Sequence, residues 1–141
     1  MKKLQFTIEI NAPKEKVWDA LWQDKNYREW TAAFHEGSHY ESDLQEGSRI
    51  YFLGPDKNGM FGIVEKNIPY EKMYFLHKGE VKDGVEQEET YGENAIEQYD
   101  LEEKDGVISL TVTMNAPEEY ISYFADVFPK ALGKVKEIAE K

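Results

Sequence analysis

Residues 115–139 read NAPEEYISYFADVFPKALGKVKEIA, and this stretch decides the fold. Its apolar residues, Phe124, Phe128 and Val135 among them, recur at steps of three and four, which is the period of an amphipathic helix. A helix extending to about residue 139 would be about 35 Å long, enough to cross a whole sheet. Pro129 lies inside it and is expected to kink it or to remove one hydrogen bond. A long helix with one apolar face needs a surface to cover.

The N-terminal part of the sequence predicts one strand and two short helices. Residues 3–10 alternate between apolar and polar side chains, as in a strand with one wet face. The tripeptide Asn-Ala-Pro, which also precedes the long helix, ends this strand. Helical spacing then predicts a helix over 13–22, because proline is favoured in a first helical turn. Asp24 is a candidate N-cap for a second short helix that carries Tyr27 and Trp30.

The middle of the chain predicts a series of hairpins. Clusters of turn residues at 54–59 and 104–106 separate apolar runs, and Asn-Gly and Asp-Gly are strong hairpin signals. The glutamate-rich stretch 86–93 is predicted to be a long acidic loop. The predicted strands in this part are a short one near 39–41 and longer ones at 49–53, 60–66, 72–78, 95–101 and 107–114.

These elements predict a single α+β domain over residues 1–141. Hairpins make the sheet antiparallel, with about six or seven strands. One helix cannot cover so many strands on a flat sheet, so we expect the sheet to curve around the C-terminal helix. The space between sheet and helix can then stay open as a cavity or be filled by side chains.

Composition narrows the classes of function. The chain has no cysteine, which excludes thiolate chemistry and disulfides. Its net charge of −11 disfavours nucleic-acid partners. No apolar run reaches the length of a membrane span, so stable membrane insertion is not expected. Gln5, Thr7 and Glu9 interrupt the apolar stretch that a signal peptide would need, and we expect a cytoplasmic protein.

The motifs in order resemble the START-like, or SRPBCC, superfamily, to which birch pollen allergens and lipid-transfer domains belong. Ala-Pro-x-x-x-Val-Trp-x-x-Leu at 12–21 is similar to the usual entry into its first helix pair. The segments 62–69 and 71–75 resemble the hairpin of the branch named after the activator of the ninety-kilodalton heat-shock chaperone's ATPase. The resemblance implies a helix-grip fold with a cavity between the sheet and the last helix. It does not imply one activity, because members carry lipids, bind hormones, cyclise polyketides or assist a chaperone.

Polar residues on apolar strand faces are the candidate anchors of a binding site. Glu97 shares a face with Tyr99, His77 with Phe75, and Arg49 with Tyr51. If these faces line the cavity, Glu97 is expected to pair with Arg49 or His77 and to fix the orientation of a ligand. The alternative is that they meet water on the convex side of the sheet. The complete set of candidate ligand-binding residues is Trp30, Phe34, Arg49, Tyr51, Phe61, Tyr74, His77, Glu97, Tyr99, Tyr123, Phe124 and Phe128.

Three functions fit the sequence. The first is binding of an apolar or amphipathic small molecule or lipid in the cavity. The second is a protein–protein module similar to a co-chaperone, which predicts an exposed apolar patch and little internal space. The third is a cyclase- or hydrolase-like enzyme that acts on a bound aromatic or polyketide-like substrate, with Glu97, His77 or a tyrosine as general acid or base; it predicts a raised carboxyl pKa inside the cavity. No cofactor is expected. No metal is expected either, because Gly37 and Ser38 disfavour a helix that would align His35 with His39.

Overall fold

The computed structural model describes residues 2–91 and 95–141 and is an α+β fold. The strands are β1 (Lys2–Ile10), β2 (His39–Glu41), β3 (Arg49–Leu53), β4 (Gly59–Ile68), β5 (Lys72–Lys82), β6 (Val85–Glu89), β7 (Ile96–Lys104) and β8 (Val107–Ala116). The helices are α1 (Lys14–Trp22), α2 (Asp24–Thr31), a 3₁₀ turn (Glu118–Tyr120) and α3 (Ile121–Ala139). Within the described part of the chain, no helix combines the length and the apolar character that crossing a membrane requires.

All strand pairs are antiparallel, in the order β1-β8-β7-β5-β4-β3-β2, and β6 also pairs with β5. The curved sheet wraps around α3, which confirms the predicted helix-grip architecture. Two turns have the backbone that Asp-Gly favours. Asp83 and Gly84 have φ of 52° and 80°, and Asp105 and Gly106 have φ of 53° and 80°. Consecutive positive φ values are typical of the type I′ turn, which matches the twist of a hairpin.

Three predictions about elements need correction. The stretch 86–93, predicted to be an acidic loop, is in part a strand, because Glu86 to Glu89 belong to β6, which pairs with β5. Residues 92–94 lie outside the described residues. The sheet consequently has eight strands. Asp24 is the first residue of α2 and not its N-cap, which is Gln23; the Asp24 carboxylate instead bonds to Arg28 at 2.9 Å. Helix α3 continues through Pro129, which lies inside it as predicted and, having no N–H, removes one hydrogen bond of the helix.

The two halves of α3 meet the sheet differently. In its C-terminal half, Ala131, Leu132 and Val135 are at most 2% exposed and pack into the core formed with α1 and the sheet. In its N-terminal half, Phe124 and Phe128 face a cavity. The space between sheet and helix is therefore filled at one end and open at the other.

Candidate functional site: a cavity between the sheet and helix α3

The cavity has a volume of about 1120 Å³. Its floor comes from the concave faces of β3, β5, β7 and β8, and its walls come from α2 and the first turns of α3. Sites for small molecules are commonly about 300–1,000 Å³ with mainly apolar walls, so this cavity is large enough for a drug-sized molecule. Eight of the predicted residues line it: Trp30, Phe34, His77, Glu97, Tyr99, Tyr123, Phe124 and Phe128.

Aromatic rings form most of the apolar wall. Phe34 packs edge-on against Phe128, with ring centroids 4.9 Å apart, and Phe128 stacks on Phe6 at the same distance. Trp30 is 1% exposed, and its indole N–H donates to the carbonyl of Leu21 at 3.0 Å. Because its polar atom is already paired, the Trp30 ring offers the cavity an apolar face.

Three polar side chains form a connected network in the floor of the cavity. The register of the two strands places Glu97 of β7 opposite Phe75 of β5. Two residues further along β5, the amide of His77 donates to the carbonyl of Ala95 at 2.8 Å. His77 is therefore the diagonal neighbour of Glu97 on the concave face. His77 Nε2 lies 2.9 Å from Glu97 Oε1, and the Tyr99 hydroxyl donates to Glu97 Oε2. The side chains of His77 and Glu97 are 9% and 18% exposed.

The electrostatics of the network fix which groups carry protons. Burial alone would raise the pKa of Glu97, but the hydrogen bond from His77, the electrostatic interaction with that ring and the hydrogen bond from Tyr99 outweigh it and hold that pKa below its usual value. Burial, followed by the Glu97 charge, raises the pKa of Tyr99 well above its ordinary value. Glu97 is therefore a carboxylate at neutral pH and accepts from a neutral Tyr99. Because a carboxylate only accepts, the hydrogen between Glu97 and His77 resides on Nε2.

The second ring nitrogen of His77 is enclosed by the protein. Nδ1 is buried and has no hydrogen-bond partner among residues 2–91 and 95–141. The His77 ring also packs edge-on against Phe52, with centroids 5.1 Å apart. These contacts hold the ring in place, so the exposed polar surface of the network belongs mainly to Glu97.

The mouth of the cavity lies beside the start of α3. Tyr120 and Tyr123 are 51% and 42% exposed, and the Tyr123 hydroxyl donates to the backbone carbonyl of Phe34 at 3.0 Å. This bond joins α3 to the turn that follows α2. His35 and His39 also lie at the mouth, where each Nδ1 contacts a backbone carbonyl. The described residues contain no cluster of three side chains suited to hold a metal ion.

Four predicted site residues lie outside the cavity. On β3 the concave face carries Ile50 and Phe52, so Arg49 and Tyr51 lie on the opposite face. There both contact the Glu86 carboxylate of β6: the Arg49 guanidinium at 3.2 Å and the Tyr51 hydroxyl at 2.6 Å. The Arg49 guanidinium also lies 5.6 Å from the centre of the Phe61 ring, which packs in a separate small cluster with Leu53 and Val81. The Tyr74 hydroxyl donates to Asp100 at 2.6 Å beside Lys72.

These positions correct the choice of face on β3. Of the two pairings considered for Glu97, the one with His77 is present, and the one with Arg49 is not, because Arg49 pairs with Glu86. Sequence reasoning missed Tyr27 and Phe52, which line the cavity. The signals were present: Tyr27 is one helical turn before Trp30, and Phe52 alternates with Arg49 and Tyr51 along β3.

Comparison with known proteins identifies relatives of this fold. The profile of the family described as Activator of Hsp90 ATPase homolog 1-like protein matches residues 11–139. No curated protein matches the sequence. The solution structure of the Aha1 dimer from Colwellia psychrerythraea is 19% identical with a TM-score of 0.75, and the match covers 99% of this chain and 97% of that chain.

Two crystal structures show the same likeness. A protein from Chromobacterium violaceum is 15% identical with a TM-score of 0.71, over 100% of this chain and 99% of that one. DynU16, a protein of the dynemicin biosynthetic locus, is 13% identical with a TM-score of 0.72. That match covers 100% of this chain but 48% of DynU16, so this chain spans about half of its length. At such identities the likeness shows the fold alone.

Proposed function

Because the chain belongs to the Activator of Hsp90 ATPase homolog 1-like family, whose name points to protein partners while its fold encloses a cavity, we propose that this member binds an amphipathic small molecule. The observation that carries the proposal is the cavity of about 1120 Å³, which has aromatic walls and the ionised Glu97 in its floor. The rings of Phe34, Phe124 and Phe128 would contact the apolar body of the ligand. The polar network would orient it.

The alternative of a protein-binding module has weaker support in the distribution of exposed apolar side chains. Ile68 and Tyr70 lie at the β4–β5 turn, and Val85 lies just after the turn at the other end of β5. Tyr120 and Tyr123 flank the cavity mouth. Among the described residues the large exposed apolar side chains are thus divided among three places, whereas a docking surface would gather them into one patch.

The enzymatic alternative predicted a raised carboxyl pKa in the cavity. The pKa of Glu97 is instead lowered, so this carboxylate has no proton to donate as a general acid at neutral pH, and as a general base it is weaker than a group whose pKa lies near 7. We therefore favour binding over catalysis. A cytoplasmic location remains a prediction from the sequence.

The proposal is tested by a substitution that fills the cavity. Ala95 is 5% exposed, lies next to Glu97 on the concave side and lines the cavity. Ala95→Trp should occupy the space meant for the ligand, and Ala95→Leu should occupy part of it. The matched control is Ala33→Trp, because Ala33 is exposed in the turn that follows α2 and does not line the cavity.

The assay measures the fluorescence of N-phenyl-1-naphthylamine, a neutral apolar dye, as it is titrated with protein. We expect saturable binding with unit stoichiometry to the natural sequence and to Ala33→Trp. Ala95→Trp should weaken the dye affinity by about tenfold or more. In the filled cavity the dye can no longer bury about 50–60 Å² or more of its apolar surface, and burial contributes about 25 cal/mol per Å². Circular dichroism checks that each variant is folded. If a folded Ala95→Trp binds the dye as the natural sequence does, the dye sits elsewhere and the proposal fails.

A further inference from the structure

The polar anchor of the cavity is a hydrogen-bond acceptor. Glu97 Oε1 receives His77 Nε2–H at 2.9 Å, and Oε2 receives the Tyr99 hydroxyl. A carboxylate has about four lone-pair positions, so each oxygen can accept a further hydrogen bond. The Glu97 side chain is 18% exposed and lines the cavity, and a ligand can therefore reach it.

The neighbours of Glu97 strengthen this acceptor character. Both of its bonded partners donate, and they stabilise the ionised form, whose pKa lies below the usual value for glutamate. The hydroxyl of Tyr99 is already directed at Glu97, and Trp30 N–H is directed at Leu21. These two donors are thus engaged by the protein itself, whereas the Glu97 carboxylate still has lone pairs that a ligand can address.

The mouth of the cavity carries an excess of negative charge. Among the described residues that line the cavity, the charged side chains and histidines outside the Glu97 network are Asp56, Glu80, Asp83, Glu119, Lys82, His35 and His39. Four carboxylates against one lysine repel an anion on its way to the cavity, in keeping with the net charge of −11. An anion that entered would then meet the Glu97 carboxylate in a site of low dielectric, where like charges repel most strongly.

We propose that the ligand is an apolar, ring-containing molecule that is neutral or cationic and that donates a hydrogen bond to Glu97 through a hydroxyl or amino group. Carboxylate amphiphiles such as fatty-acid anions are disfavoured by the same geometry. This inference rests on the proposed function, since it assigns the chemistry of the ligand's polar group in that cavity.

The test uses matched probes that share one ring system. 2-Naphthol donates a hydrogen bond, 2-methoxynaphthalene has the same rings but no donor, and 2-naphthoate is an anion that only accepts. Each competes with bound N-phenyl-1-naphthylamine at pH 7. We expect 2-naphthol to displace the dye at about tenfold lower concentration than 2-methoxynaphthalene, since a hydrogen bond to a charged group contributes this much or more. 2-Naphthoate should be the weakest competitor.

Two variants assign the preference to Glu97. Glu97→Gln keeps the size of the side chain and its ability to accept but removes the charge, so the preference for 2-naphthol should fall to about threefold or less. Glu65→Gln makes the same change at an exposed position of β4 outside the cavity and should keep the full preference. If Glu97→Gln does not fold, the probe series on the natural sequence still decides the inference.

The outcomes separate this inference from the proposed function. If the dye does not bind the natural sequence at all, the proposed function itself fails. If the dye binds but 2-methoxynaphthalene competes as well as 2-naphthol, the cavity binds apolar molecules without a donor contact, and the inference is overturned. Tightest competition by 2-naphthoate would overturn it as well, because the cavity would then attract anions.

Discussion

Replacing Tyr99 by phenylalanine tests whether the polar network stabilises the fold as well as the site. Tyr99 is 1% exposed, and its hydroxyl bonds to an ionised carboxylate. Such a bond contributes about 1.5–3 kcal/mol. Because the Glu97 side chain is 18% exposed to the cavity, water can replace part of the lost bond. We therefore expect Tyr99→Phe to lower the free energy of unfolding at pH 7 by about 1.5–2 kcal/mol.

The matched control is Tyr123→Phe. Its hydroxyl also donates one hydrogen bond, to the carbonyl of Phe34 at 3.0 Å, but the residue is 42% exposed. Water replaces most of that bond, so the loss should be about 0.5 kcal/mol or less. Urea unfolding followed by tryptophan fluorescence measures both variants. Equal losses for Tyr99→Phe and Tyr123→Phe would refute the claim that the buried network is special.

The effect of Tyr99→Phe should also depend on pH. The pKa of Glu97 is lower in the folded protein than its ordinary value of 4.5, so its ionisation stabilises the fold above about pH 4.5. That contribution is lost as the pH falls through the folded-state pKa. Because the Tyr99 hydroxyl helps to lower this pKa, the difference between Tyr99→Phe and the natural sequence should shrink below pH 4.5. A difference that stays constant or grows from pH 7 to pH 3 contradicts the assigned charge of Glu97.

Two further predictions concern residues outside the cavity. Gly133→Ala should raise the free energy of unfolding by about 0.5–1 kcal/mol, because Gly133 is inside α3 and an added Cβ meets no atom within 4 Å. Thermal unfolding measures this change. A destabilised variant would contradict the prediction, because it would show that this face of α3 has no room for a methyl group. Arg49→Ala should change dye affinity by less than about twofold and stability by less than about 1 kcal/mol, because its ion pair with Glu86 is partly exposed and lies away from the cavity. A large loss of dye binding in Arg49→Ala would contradict this prediction, because it would show that the dye binds on the convex face of the sheet, where Arg49 lies.

The long helix and the hairpins followed from local patterns. The apolar spacing of 115–139 predicted α3, and the Asp-Gly pair at 105–106 marked a turn whose backbone requires positive φ. Strand β6 could not be found in this way. All five of its residues are exposed, so no alternation of burial marks it, and its backbone pairing with β5 defines it.

The face of each strand was the harder problem. On β3 both faces carry large side chains, with Ile50 and Phe52 on one and Tyr51 and Leu53 on the other. Alternation alone cannot show which set meets α3. On β7 the assignment was easier, since Tyr99 shares a face with Glu97. On β5 the candidates lay on both faces: His77, which shares a face with Phe75, lines the cavity, whereas Tyr74 lies on the opposite face and bonds to Asp100. Pairing between His77 and Glu97 was one of two options until the register of β5 and β7 placed them diagonally.

The most direct test of the central claim is a titration of ¹⁵N-labelled protein with 2-naphthol, followed by ¹H–¹⁵N correlation spectra. We predict saturable shifts that concentrate on the amides of His77, Glu97, Tyr99 and Phe124, which line the cavity. Shifts concentrated instead around Tyr74 and Asp100, outside the cavity, or no saturable shift at any amide, would contradict the account.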